Sequence, residues 1–163
     1  MPITGVTNPF AQNEAVTARD AIDSLASKAA AGAELFASGF YQLTVSVSAS
    51  FPIFVAPFAL QVKQASIVLW GNADIAVDDV NYWRFAVRRT TSVTVVSEIA
   101  SKSTQLTGGQ AIAQKTDWNF DAVTFSPTFS LIAKGDTVDL AMFKTGAPAN
   151  LVSTFITVRY EPL

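Results

Sequence analysis

Apolar and hydroxyl residues alternate without interruption from Leu43 to Phe51, and this pattern constrains the fold more than any other. The apolar positions are Leu43, Val45, Val47, Ala49 and Phe51, and Thr44, Ser46, Ser48 and Ser50 stand between them. A period of two places successive side chains on opposite faces of a strand. We therefore predict a long strand whose small hydroxyl face either packs against another sheet or chain or is simply exposed.

Seven further segments have strand character, and glycine, proline and small polar residues separate them. They are Leu60–Trp70, Tyr82–Arg89, Val93–Ser101, Trp118–Phe125, Thr128–Ala133, Thr137–Phe143 and Leu151–Tyr160. The second and third of these predict a hairpin. The connections are too short for parallel crossovers, which need about a dozen residues. The chain is therefore predicted to be all-β, an antiparallel jelly-roll-type β-sandwich of about eight strands.

The N-terminal part of the chain has a different pattern. Residues 1–12 mix turn formers with isolated apolar residues, which is typical of an extended arm. Asn13 suits the N-cap of an alanine-rich helix from Glu14 to about Ala37, and Gly39 suits its end. We therefore divide the chain into an arm with one helix at residues 1–38 and a β-sandwich domain at residues 39–163.

The 163 residues include no histidine and no cysteine. This absence excludes a histidine general base, a cysteine nucleophile, a thiolate zinc site and a disulfide. The sequence also has no glycine-rich phosphate-binding loop. We predict a protein that is not an enzyme and that uses no metal or cofactor.

The remaining candidates for chemistry are Asp74, Asp78 and Asp79, which lie in one predicted loop. Two carboxylates suffice for glycoside hydrolysis, and oxygen ligands suffice for calcium. The spacing lacks the alternation of a calcium loop, so a solvated loop is the favoured interpretation.

The three tryptophans have two possible interpretations, and the adjacent glycines have one. Trp70, Trp83 and Trp118 would form a sugar-stacking platform if exposed, but their place in or beside strands favours core packing. Gly108-Gly109 is interpreted as a hairpin turn.

Charge and hydropathy indicate which classes of partner the chain does not bind. The net charge is −2, and Arg88-Arg89 is the only adjacent basic pair, so we predict no nucleic-acid binding. The longest apolar run, Phe51–Leu60, contains two prolines and is too short for a membrane span of about 20 residues, so we predict no membrane. The first residues lack the basic and apolar regions of a signal peptide. The absence of cysteine fits synthesis in the cytoplasm.

Hydrophobic residues make up 50% of the chain and charged residues only 15%, so we expect apolar subunit contacts. Two prolines exclude Phe51–Phe58 from a central strand and predict an edge strand or a strap. Its large apolar side chains, together with those of the N-terminal segment, form the predicted interface. The predicted interface residues are Ile3, Phe10, Val16, Ile22, Leu25, Phe36, Phe51, Ile53, Phe54 and Phe58.

Two motifs give a resemblance to a known group of proteins. FVAPFALQV at residues 54–62 and AKGDTVDL at residues 133–140, the latter followed by Lys144-Thr145-Gly146 and a last strand, resemble jelly-roll virion proteins of tailed bacteriophages. The resemblance covers residues 40–163. It implies a capsid decoration (cement) protein or a related head or tail protein, commonly trimeric and without catalytic residues.

We therefore expect a structural virion protein that binds and stabilises a bacteriophage capsid, as a homotrimer on the capsid surface. Its partners would be the major capsid protein or other virion subunits. A carbohydrate-binding adhesion module of a tail or head fibre and a hydrolase that uses the aspartate loop are the alternatives.

Overall fold

The computed structural model describes residues 35–41, 44–71, 74–91, 96–120 and 130–163, which form nine strands and no helix. The strands are β1 Leu35–Tyr41, β2 Ala49–Val55, β3 Leu60–Leu69, β4 Tyr82–Thr90, β5 Val96–Ser103, β6 Trp118–Asn119, β7 Leu131–Ile132, β8 Thr137–Thr145 and β9 Thr154–Pro162. No helix in this part of the chain is long and apolar enough to cross a membrane.

The strands form two antiparallel sheets. One has the order β1-β9-β3-β6, with β7 pairing the other end of β3, and the second has the order β2-β8-β4-β5. The pairs are nested, because β1 pairs with β9, β2 with β8, β3 with β6 and β7, and β4 with β5. A long hairpin folded over itself produces this order, which is that of a jelly roll. The predicted all-β antiparallel sandwich and the pairing of β4 with β5 are confirmed.

The core lies between the two sheets and is rich in aromatic side chains. Trp83 and Phe85 of β4 are fully buried, and Trp118 and Phe120 continue the same row of rings. The Trp83 indole Nε1 donates a hydrogen bond of 2.8 Å to the carbonyl of Ala149, which satisfies its polar atom. Core packing of Trp83 and Trp118 is therefore confirmed.

The long strand predicted from Leu43 to Phe51 is wrong in its first part. Residues 44–48 form no regular strand, and Val45 makes only an isolated bridge to Leu151. The reason is that the chain crosses here from β1 in one sheet to β2 in the other. Val45 is buried as the alternation predicts, whereas Val47 is exposed because no sheet covers it.

The predicted helix end is also wrong, because residues 35–37 belong to β1. All seven residues of β1 are in register with β9, from Leu35 opposite Tyr160 to Tyr41 opposite Thr154. Pairing along a whole strand outweighs the weak helix propensity of three residues. The predicted arm and the rest of the predicted helix lie outside the described residues. β1 extends on both sides of Gly39, and the division at residue 38 stays a prediction.

Two arginines attach β4 to β8 and to the turn before it. Arg88 Nε donates to Asp139 at 2.7 Å, and Arg89 Nε donates to Asp136 at 2.6 Å. Gly135, in the turn before β8, has a φ of 90°, which only glycine adopts readily. The adjacent basic pair is thus occupied by carboxylates within the fold.

Candidate functional site

An exposed apolar surface lies at the end of the sandwich where β2 turns into β3. Val55, the last residue of β2, and Phe58, in the turn, are exposed. Leu163, 71% exposed, lies beside the turn because its amide donates to the carbonyl of Ala59. We name Val55, Phe58 and Leu163 the basal surface. The ring of Tyr160 lies beneath it, at 6.5 Å from the Phe58 centroid.

The β2–β3 turn is held rigidly by backbone hydrogen bonds. The Ala56 amide donates to the carbonyl of Asp136, and the Gly135 amide donates to the carbonyl of Ala56, both at 2.8 Å. Pro52 lies in β2, which is an edge strand with a bulge between Pro52 and Phe54, so the predicted edge position is confirmed. The basal surface is therefore presented by a fixed turn.

The predicted interface residues divide into three groups. Phe51, Ile53 and Phe54 are half-buried and pack against the core of their own sandwich, so β2 covers more of its apolar area than we predict from the sequence. Phe58 is 37% exposed, and Phe36 is exposed on β1. The other five, Ile3, Phe10, Val16, Ile22 and Leu25, lie outside the described residues.

A second apolar surface lies on the outer face of the first sheet. Phe40 of β1 is in register with Phe155 of β9, which is in register with Val68 of β3. Trp70, directly after β3, completes a groove of about 430 Å³. We name these four residues the apolar groove. The sequence alone did not indicate it, because its members come from three strands far apart in the chain.

Trp70 is 60% exposed, and its predicted place in the core is wrong. Along β3, Ile67 and Leu69 face the core, so the period of two directs Val68 and Trp70 to the other face. The backbone around Trp70 is well fixed. Its amide donates to the Ser153 carbonyl at 2.9 Å, and the Lys115 amide donates to the Leu69 carbonyl at 2.9 Å.

Both of these partners have an unusual backbone conformation. Lys115 has a φ of 57° and Ser153 a φ of 53°, the only positive values at non-glycine residues in the described ranges. Such a conformation costs roughly 1–3 kcal/mol and persists only where the surrounding contacts impose it. Lys115 also places its Nζ 5.4 Å from the centroid of the Trp70 ring, a cation–π contact. The backbone that carries the exposed indole is therefore fixed, and the Lys115 ammonium lies over its ring.

The aspartate loop fixes backbone rather than forming one site. Asp74 accepts a hydrogen bond from the Gln114 amide, Asp78 from the Val80 amide, and Asp79 from the Thr107 amide. In the part of the chain that the structure describes, no three acidic residues come together in a way that could hold a metal ion. Asp74 and Asp79 are exposed, as expected of a solvated loop, and the three carboxylates fix the backbone around them.

Asp78 gives a prediction about acid stability. Hydrogen bonds from the Val80 amide, the Asn81 amide and the Asn81 side chain hold the pKa of Asp78 below its ordinary value of 3.8. A lowered folded pKa stabilises the protein above the unfolded pKa, and this contribution is lost as the pH falls through the folded pKa. We expect Asp78→Asn to be less stable than the wild type at neutral pH, and the difference in urea midpoint to shrink as the pH falls below about 4. A difference independent of pH would contradict this role of the charge.

A polar cleft lies on the outer face of the second sheet, beside Gly108-Gly109. Arg84, Ser101 and Ser103 line it, together with the turn that follows β5. The Arg84 guanidinium pairs with Glu98 and stacks 4.9 Å from the Phe143 centroid, so its charge is already partnered. Gly108 has the positive φ of a turn residue, but β5 and β6 on either side lie in different sheets, so the turn is not the predicted hairpin turn.

No protein-family model matches the chain, and no curated protein matches it. Among solved structures, it is similar to a chain from Bacillus endospore appendages, described as a novel family of disulfide-linked pili. The two are 10% identical, the match covers 80% of this chain and 88% of that one, and the TM-score is 0.36. The likeness is a distant one.

Proposed function

We propose that the chain is a structural virion protein that binds and stabilises a bacteriophage capsid, as a decoration or cement protein in the form of a homotrimer. The observation that supports this function best is the basal surface, in which large apolar side chains are exposed on a fixed turn. Contiguous exposed apolar area on a rigid scaffold is typical of a contact with another protein. The partner would be the major capsid protein or another virion subunit.

The two motifs that resemble phage virion proteins meet at this end of the molecule. Residue Ala56 of the first motif exchanges backbone hydrogen bonds with Gly135 and Asp136 of the second, and the basal surface lies next to this contact. The resemblance and the exposed apolar residues therefore concern the same region.

A purely physical mechanism would suffice for this function. A protein that binds only the assembled shell stabilises that state by mass action, without any reacting group. Burial of apolar surface contributes about 25 cal/mol per Å², and a rigid turn loses little conformational entropy on binding. After synthesis in the host cytoplasm, the protein would attach to the outer surface of the completed shell.

The test uses shells of the phage that encodes the chain, assembled without this protein, and the purified full chain. Binding is measured by co-sedimentation, and shell stability by the temperature of rupture. We expect the wild-type protein to bind and raise that temperature, and the double variant Val55→Ser/Phe58→Ser to do neither. Val47→Ser, which also removes an exposed valine but lies outside the basal surface, is the control and should behave as the wild type.

Decorated and undecorated shells that rupture at the same temperature would refute the proposal. Equal binding by the wild type and the double variant would refute the role of the basal surface. Circular dichroism melting of each variant shows that a loss of binding is not a loss of fold.

A carbohydrate-binding adhesion module is the second candidate, favoured by one observation. The exposed indole of Trp70 is the kind of platform on which a sugar ring stacks. A glycan bound on an array by the wild type and lost in Trp70→Ala would favour this candidate. If no glycan on the array is bound, the result would favour capsid decoration over carbohydrate binding.

A further inference from the structure

We infer that the apolar groove receives a loop of a second copy of this chain, so that copies assemble head to tail into a closed ring. The inference rests on the oligomer in the proposed function and names the contact that forms it. It does not depend on binding to a shell. The groove combines apolar area with a nearby positive charge, and the loop combines apolar side chains with a negative charge.

The groove offers apolar area, and a lysine ammonium, that of Lys115, lies over one of its side chains. Its four lining side chains are all apolar, and the Lys115 ammonium lies 5.4 Å from the centroid of one of them, the Trp70 ring. The ion pairs that connect described residues do not include Lys115. An occupant that fits this site has an apolar side chain with a carboxylate next to it.

The chain itself presents such a group. Val80 is 69% exposed and Leu106 is 59% exposed. Asp79 precedes Val80 in one loop, and Thr107 follows Leu106 in the other. Asp79 accepts hydrogen bonds from the Thr107 amide at 2.9 Å and from the Thr107 hydroxyl at 3.2 Å, which holds the loops together. We name Asp79, Val80 and Leu106 the acidic knob.

The two surfaces complement each other in hydrophobicity and in charge. Val80 and Leu106 would enter the groove beside Trp70, and the Asp79 carboxylate would lie against the Lys115 ammonium. Tryptophan is among the residues most often found at the energetic centre of an interface, and preorganisation reduces the entropy that binding costs. Lys115 and Ser153, both with a positive φ, hydrogen-bond the backbone of Leu69 and Trp70.

Their positions in the fold favour a ring. The groove lies where β3 of the first sheet ends, and the knob lies where β4 of the second sheet begins, so both are at the same end of the sandwich. Two different surfaces at the same height on opposite sheets can meet around a rotation axis that runs along the strands. A contact between unlike surfaces forms a closed ring when this rotation closes and a filament when it does not.

The experiment measures the mass of the full chain in solution by light scattering over a series of concentrations. We expect the wild type to reach three times the chain mass of 17.4 kDa. Trp70→Ala should raise the dissociation constant at least 30-fold, the equivalent of a hot spot of about 2 kcal/mol. Val80→Ser, which changes the acidic knob on the other side of the contact, should also raise the dissociation constant.

A charge exchange tests the pairing itself. Lys115→Glu should shift the equilibrium to monomers, and the combination Lys115→Glu/Asp79→Lys should restore the ring. Lys134→Glu, an exposed lysine far from both surfaces, is the control and should leave the mass unchanged. Melting curves of the monomeric variants exclude unfolding as the cause.

Three outcomes would overturn the inference: a wild type that is monomeric at all concentrations, a mass unchanged by Lys115→Glu, or filaments in place of a ring. A monomer that still binds shells would leave capsid decoration intact. A ring that ignores shells would remove capsid decoration and leave the ring.

Discussion

Trp83→Ala should reduce the free energy of unfolding by about 3–5 kcal/mol, the largest effect we expect from a single substitution. Trp83 is fully buried, and its ring lies 6.5 Å from that of Phe85 between the sheets. The substitution leaves a cavity bounded by both sheets and an unpaired carbonyl at Ala149, which accepts the indole hydrogen bond. Urea unfolding followed by circular dichroism measures the change.

Trp70→Ala is the matched control, because it makes the same chemical change at an exposed position. Under dilute, monomeric conditions it should cost less than about 1 kcal/mol, since it removes a cation–π contact with Lys115 and little buried area. Trp83→Phe keeps most of the volume and loses the hydrogen bond, so its cost should lie between the other two. Equal losses in Trp83→Ala and Trp70→Ala would contradict the position of the core.

Asp139→Ala should cost about 3 kcal/mol, near the lower end of the range for breaking a buried ion pair. The side chains of Arg88 and Asp139 are only 17% and 10% exposed, and Asp139 also accepts a hydrogen bond of 2.6 Å from the Thr90 hydroxyl. Removal of the carboxylate leaves a largely desolvated guanidinium and a hydroxyl without their acceptor. Denaturant midpoints in low salt and in high salt measure the effect.

Glu98→Ala is the control for this substitution, because its ion pair with Arg84 joins the same two kinds of groups at the surface. The side chains of that pair are 38% and 37% exposed. An exposed pair contributes less than about 1 kcal/mol and is weakened by salt. A cost for Asp139→Ala no greater than that for Glu98→Ala would show that the burial of the first pair has no energetic consequence.

The two apolar surfaces lie at opposite ends of the sandwich, and this separation connects the two proposals. In a ring whose axis runs along the strands, the contact between copies is at one end and every basal surface points away from it in the same direction. Three basal surfaces on one side would bind a shell together, and their combined affinity would far exceed that of a single copy.

Local patterns in the sequence were sufficient to find most of the sandwich. The predicted segments Leu60–Trp70, Tyr82–Arg89 and Thr137–Phe143 correspond to β3, β4 and β8 within two residues at each end. Alternation and turn residues report on a few neighbouring positions, so they identify strands that have one face buried. The prediction that Phe58 is an interface residue also rests on neighbouring positions, because Pro52 and Pro57 exclude its segment from a central strand.

Where the prediction failed, the deciding contact lies far away in the chain. Residues 35–37 are a strand because β9, more than a hundred residues later, pairs with them. The apolar groove exists because this same pairing brings Phe40 beside Phe155, with Trp70 at the end of β3. The sequence by itself determined that the chain folds as an antiparallel sandwich. Only the tertiary structure decided which apolar residues stay exposed, because exposure depends on which strands pair and on where each strand ends.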